Sequence, residues 1–204
     1  MSNRGAIRSL PRSLSTGSLR QRKGARMARV VFFSFDYDDV WRVNQVRNSG
    51  KFVGERRSGF RDKAEYEQVK RRGDAAIKRW IREQMLGCSV TCVLIGSATH
   101  ESKWVHFEIQ ESISSGMGLV GVYVHKLKAP GQSSQFGTLF TPRNPLDDHT
   151  MPAGDDAISR MFADRASDRY ETHTWEPTGS FGNLFGSNDL GVWVEEAASR
   201  AGRV

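Results

Sequence analysis

Residues 97–113 read SATHESKWVHFEIQESI. Trp104 and Glu108 are four apart, so a helix would stack them on one face. A flat aromatic surface beside a carboxylate can hold a planar ring and stabilise positive charge that develops next to it. Glu111 stands three residues beyond Glu108 and would share its side of the helix. The same spacing suits a core tryptophan and a solvated helix carboxylate, because Phe107, Ile109 and Ile113 also need a buried side. A second polar group lies in residues 34–48, SFDYDDVWRVNQVRN. It offers Ser34, Asp36, Tyr37, Asn44, Arg47 and Asn48. Arg47 has the fork geometry to grip a phosphate through paired hydrogen bonds, as have Arg56, Arg57 and Arg61 farther along. Arg47 and Asn48 equally suit the plain end of a helix.

Other chemistries lose support. No GxGxxG or GxxxxGK[ST] pattern follows the first apolar run, and no GxSxG elbow is present. His100, His106, His125, His149 and His173 are scattered, and none has metal-ligand spacing with another histidine or with cysteine. A metal site is therefore not expected. Cys88 and Cys92, four apart on an expected strand, would share a face as buried hydrophobes rather than as a redox pair.

These residues need elements to position them. Residues 29–35 (RVVFFSF) are β-branched and aromatic with no charge after Arg29, the pattern of a strand buried on both faces. Residues 89–96 (SVTCVLIG) and 119–125 (LVGVYVH) repeat it. Asp36 and Asp38 are placed to cap a helix over residues 38–47. Residues 48–61, with three glycines and four basic side chains, read as a loop or lid with a short strand at 51–53. A helix follows over 64–86, weakened at Gly73 and ended by Gly87. Another spans 103–115. Residues 126–153, with four prolines, form a long connection. A last strand near 170–175 and a helix capped by Asp189, with Leu190, Trp193, Val194 and Ala197 inward, close the chain. Alternating strands and helices imply a flavodoxin-like three-layer α/β sandwich around a parallel sheet of four to five strands. Ligands bind such sheets outside the carboxyl ends of the strands, here after Phe35, Gly96 and His125.

The net charge of +7 suggests nucleic acid only until it is located. Residues 1–26 hold seven arginines and lysines and no acid, leaving 23 basic and 23 acidic residues from Met27 onward. The chain thus divides into a basic arm, 1–26, expected to be disordered, and a domain, 27–204. The arm reads as a nucleic-acid or lipid contact, an organellar presequence, or a stretch upstream of a natural start at Met27. Nucleic acid is not an expected partner of the charge-balanced body. The longest run without a polar residue is eight, far short of the roughly twenty a membrane helix needs. With no apolar leader either, a cytoplasmic location is expected.

The segments VVFFSFDYDDVWRVNQVRNS, GDAAIKRWIREQMLGCSVTCVLIGSATHESKWVHFEIQESI and GLVGVYVHKLK resemble the TIR-like family of bacteria. The resemblance is nearest to the TIR-like subunit of Thoeris anti-phage defence, and covers roughly residues 28–130. It implies cleavage of NAD⁺ at the nicotinamide–ribose bond, with NAD⁺ as substrate and no further cofactor. It also implies a cyclic ADP-ribose-type signal that activates a partner effector, a phage-derived trigger, and self-association. Glu108 and Trp104 match the family's catalytic glutamate and the aromatic four residues before it. Ser34, Phe35, Asp36, Tyr37, Asn44, Arg47, Asn48 and Ser97 are then the substrate-binding candidates. Two other readings remain. One is a non-catalytic TIR-like interaction module. The other is a receiver-like domain using Asp36 and Asp38, which lacks the required aspartate after the central strand, where Ser97 stands.

Overall fold

The computed structural model describes residues 29–49, 55–58, 63–128, 140–153, 163–177 and 188–203. The arm 1–26, Met27, the strand expected at 51–53 and residues 129–139 of the long connection lie outside them.

Strand β1 (Val30–Phe35) forms where the first apolar run predicts it. Asp36 then accepts a hydrogen bond from the Asp38 amide (3.0 Å) and caps a 3₁₀ turn, Tyr37–Asp39, that leads into helix α1 (Val40–Arg47). Next come β2 (Glu55–Ser58), α2 (Lys63–Lys70) and α3 (Asp74–Met85). The helical stretch expected over 64–86 breaks at its weak point into two helices, where Gly73 adopts φ 85° at the start of α3. Then follow β3 (Val90–Ile95), α4 (Lys103–Ser114) and β4 (Gly118–Tyr123). A 3₁₀ turn at Pro145–Asp148, the short α5 (Ala166–Arg169), β5 (Thr172–Thr174) and α6 (Leu190–Arg200) complete the domain. Asp189 caps α6 by accepting from the Val192 amide (3.1 Å).

All four strand pairings are parallel, in the order β2-β1-β3-β4-β5. This is the flavodoxin-like order, with its switch point between β1 and β3. Two expectations need correction. The segment read as a lid contains β2, which pairs with β1 from Val30↔Glu55 to Phe33↔Ser58. Arg56 and Arg57 are therefore strand residues. An edge strand is held by backbone hydrogen bonds to one neighbour and needs no apolar run. Cys88 and Cys92 do not share a face, because β3 begins only at Val90. Cys88 packs with Trp80 and Met85, whereas Cys92 faces the opposite layer. Both are buried, as expected of small hydrophobes, and burial pushes the Cys92 thiol up.

Side chains alternate across the sheet. Val31, Phe33 and Phe35 join Cys92, Leu94, Val120 and Val122 under α1 and α6. On the other face, Phe32 meets α3, while Val93, Ile95 and Leu119 meet α4 through Val105, Ile109 and Ile113. Each fully buried large side chain contributes about 1.5–3 kcal/mol. Among the described residues, no helix is long and apolar enough to cross a membrane.

Helix α6 approaches the sheet closely at Gly118, where an added Cβ would overlap the Ala197 carbonyl and lie 2.9 Å from the Ala198 nitrogen. Backbone of α6 cannot yield there without lifting off β4. Gly118→Ala is expected to lower stability by about 2–3 kcal/mol, measured by urea denaturation.

Candidate active site

The docking of α4 on β1 and β3 builds this site. Its apolar residues Val105, Ile109 and Ile113 face the sheet and draw the helix down. Two polar residues on the same surface, Glu108 and Ser112, are carried in with them. Each meets a hydroxyl of the sheet. The Ser34 hydroxyl on β1 donates to Glu108 Oε2 at 2.6 Å. Ser112 Oγ lies 2.6 Å from Thr91 Oγ1 and donates to the Glu108 carbonyl at 2.7 Å, which leaves Thr91 as donor to Ser112.

Glu108 is 1% exposed, so it is not the solvated carboxylate that its sequence position also allowed. Among the described residues, its Oε1 has no hydrogen-bond partner. Burial pushes the carboxyl up to about 8, and the Ser34 hydrogen bond pulls the other way without compensating. At neutral pH the group holds a proton. Trp104 lies one turn earlier, nearer the carboxyl edge, and is half-buried. It packs against the cluster of Phe32, Ile77, Trp80 and Ile81, with an edge contact to Phe107 (centroids 6.5 Å, 86°). Lys103 stands 4.9 Å over its ring and also pairs with Asp74 at the start of α3. Glu111, expected beside Glu108, is held by Arg82 of α3 at 3.0 Å.

The other predicted residues divide. Ser34 meets Glu108. Phe35, one residue on, points to the opposite layer and is 1% exposed in the core beneath α1. Asp36 is spent on its cap, Tyr37 is exposed at the carboxyl edge, and Ser97 is exposed just past β3. Asn44, Arg47 and Asn48 are not brought to that edge. Helix α1 leaves the carboxyl edge and descends, so Arg47 sits about 10 Å below Val40. There Arg47 and Asn48 end the helix, with the Asn48 amide on the Asn44 carbonyl at 3.0 Å.

Sequence reasoning passed over three features. Asp39, 2% exposed, is a buried acid at the carboxyl edge. His106 on α4 lies with its Nδ1 2.9 Å from His149 Nε2. Its Nε2 is 2.7 Å from the His100 carbonyl, which only accepts, so His149 donates to Nδ1. Burial lowers His149, and His106 adds to that shift. The partners are 43 residues apart, a separation that carries no local signal. Glu171, His173 and Glu196 offer ligand atoms within 4.8 Å of one another, on and beside β5 and α6, although Arg200 already engages Glu171. A cavity of about 380 Å³ lined by Met85, Leu86, Met117 and Arg203 lies at the amino edge of the sheet, across the molecule from these groups.

Residues 32–129 match the family described as Thoeris protein ThsB, TIR-like domain. Over 105 residues the chain is 42% identical to a Bacillus cereus (strain MSX-D12) protein named "Putative cyclic ADP-D-ribose synthase ThsB1". The match covers 50% of this chain and 55% of that protein, so the chain spans about half the length of the curated relative it matches.

The raised Glu108 carboxyl fixes the sign of a pH effect. Between about pH 4.5 and 8 the folded chain holds this proton and the unfolded chain does not. Stability is therefore lost as pH rises through that window. Glu108→Gln keeps an acceptor for Ser34 and removes the ionisation. It should raise Tm by about 5 °C at pH 8.5 and leave Tm unchanged near pH 4, in thermal melts followed by circular dichroism.

Proposed function

We propose, from the match of residues 32–129 to the TIR-like domain of Thoeris protein ThsB, that the chain cleaves NAD⁺ and cyclises the remainder. The bond broken joins nicotinamide to ribose C1′. Nicotinamide leaves as a neutral molecule with the bonding electron pair, so its departure needs no general acid. C1′ is left with oxocarbenium character. A ribose hydroxyl or an adenine nitrogen of the same ADP-ribose then bonds to C1′ and closes the ring.

The observation that carries this reading is Glu108. It is a buried carboxyl with Oε2 on Ser34 and Oε1 unpartnered among the described residues. A carboxylate in low dielectric stabilises the developing positive charge far more than one in water. The pyridinium ring of NAD⁺ is itself cationic, so its arrival favours the ionised form of Glu108. Trp104 supplies a flat surface for a ring and helps to keep water from C1′ before the internal nucleophile reaches it. A hydroxyl nucleophile would give its proton to Glu108. In this reading Tyr37 and Ser97 at the carboxyl edge assist binding, Ser34 holds Glu108, and NAD⁺ is substrate with no further cofactor. The nucleotide product signals to a partner effector. Self-association and activation by a phage-derived trigger belong to the same proposal.

Purified protein incubated with NAD⁺ and phage-infected extract should release nicotinamide, measured by chromatography. Glu108→Ala should reduce the rate at least about 100-fold. Mass spectrometry should find a product one water lighter than linear ADP-ribose. Equal nicotinamide release from triggered wild type and Glu108→Ala would overturn the assignment of Glu108.

A further inference from the structure

The switch point between β1 and β3 is where a sheet of this order takes its ligand. Here it is already filled by the chain itself. Asp39 is the residue before α1, yet its side chain makes no cap hydrogen bond. It turns inward over Gly96, the residue after β3, and a Cβ at Gly96 would overlap its carboxylate. Only glycine leaves room for it. The Gly96 amide is directed elsewhere, to Thr99 Oγ1 at 2.8 Å.

The carboxylate has its own counter-ion. Arg42 Nη1 donates to Asp39 Oδ1 at 2.7 Å, with the two side chains 15% and 3% exposed. Arg42 Nε donates to the Leu127 carbonyl at 2.9 Å and so fixes the guanidinium to the segment after β4. Burial pushes the Asp39 carboxyl up, Arg42 pulls it back, and nearby Asp36 and Asp38 add to the upward push. The loop after β1 is thus acidic on its surface and plugged at its centre.

We propose that Asp39 is a built-in anion that occupies the switch point, closes it to phosphate groups, and leaves a nucleotide only the α4 side, where Ser34, Trp104 and Glu108 lie. Asp39 is then a specificity-determining residue: it sets the pose without touching the reacting bond. Steric filling and charge act together. Phosphate oxygens over Gly96 would meet the Asp39 carboxylate in the same volume, and Arg42 Nη1 is directed to that carboxylate.

Asp39→Ser empties the volume and removes the carboxylate that Arg42 Nη1 holds. In thermal melts the variant should gain about 3 °C when inorganic phosphate reaches ten times its dissociation constant, against chloride at equal ionic strength. Wild type and the double variant Asp39→Ser with Arg42→Gln should gain nothing. If Asp39→Ser does not fold alone, phosphate should restore its circular dichroism spectrum. A folded Asp39→Ser indifferent to phosphate, an unfolded one that phosphate does not restore, or a wild type that responds equally would each overturn the proposal. A second arm rests on the NAD⁺-cleaving reading. Phosphates held at the vacated point bind NAD⁺ unproductively, so kcat and KM should fall together, by about fivefold, with kcat/KM kept. A purely structural role for Asp39 would not give that pattern. A wild type without turnover defeats the functional reading alone and leaves the phosphate arm to decide this one.

Discussion

Glu108 is a carboxyl sealed between α4 and β1 with a single hydroxyl for company, and the arrangement around it follows from that burial. An ionised carboxylate there would lack both water and a counter-charge, so the group keeps its proton at neutral pH. Keeping it in place takes a helix that cannot drift. The Thr91–Ser112 contact one turn along α4 repeats the strand-to-helix hydroxyl pattern and fixes the height of the helix over β3. Val105, Ile109 and Ile113 supply the apolar attraction that offsets the polar burial.

On the opposite face β1, β3 and β4 present an apolar surface where the α4 face does not. Beneath α1 and α6 the sheet presents Val31, Phe33, Phe35, Cys92, Leu94, Val120 and Val122. Period-two alternation therefore places Ser34 between two phenylalanines of the opposite face and aims it alone at α4. A register slip of one residue in β1 would bury Ser34 in that apolar layer and direct Phe35 at Glu108. The phenylalanines thus specify the partner of the carboxyl without touching it.

What could be read from the sequence follows from the range of each interaction. The apolar runs of β1, β3 and β4, the cap at Asp36, the break at Gly73 and the cap at Asp189 are all decided within a few residues, and they stand where expected. The stacking of Trp104 and Glu108 is local as well. The depth of Glu108 is not local, because it depends on Ser34, 74 residues away. Edge strand β2 was hidden because one-sided pairing asks nothing of its side chains. Arg47 and Asn48 were misplaced by treating α1 as a cluster near a strand end instead of a helix with a direction. Asp39 looked like one acid among three until Gly96, far along the chain, proved to leave a space that only its carboxylate fills.

The two buried acids of the carboxyl edge show how the same group is put to opposite uses by its partner. Asp39 has a guanidinium at 2.7 Å, so burial raises its carboxyl against a pull that keeps it paired. Glu108 has a neutral hydroxyl, so burial acts almost unopposed. Asp39, paired with Arg42, fills space at the switch point and has little to offer a cation because Arg42 already answers it. Glu108 holds a latent charge. Only a positive group brought into the dry site makes its ionisation favourable, and that group then finds the new carboxylate beside it. In the proposed reaction the cationic ring of NAD⁺ is such a group. The site would become charged in the presence of its substrate and remain neutral, and less costly to bury, without it.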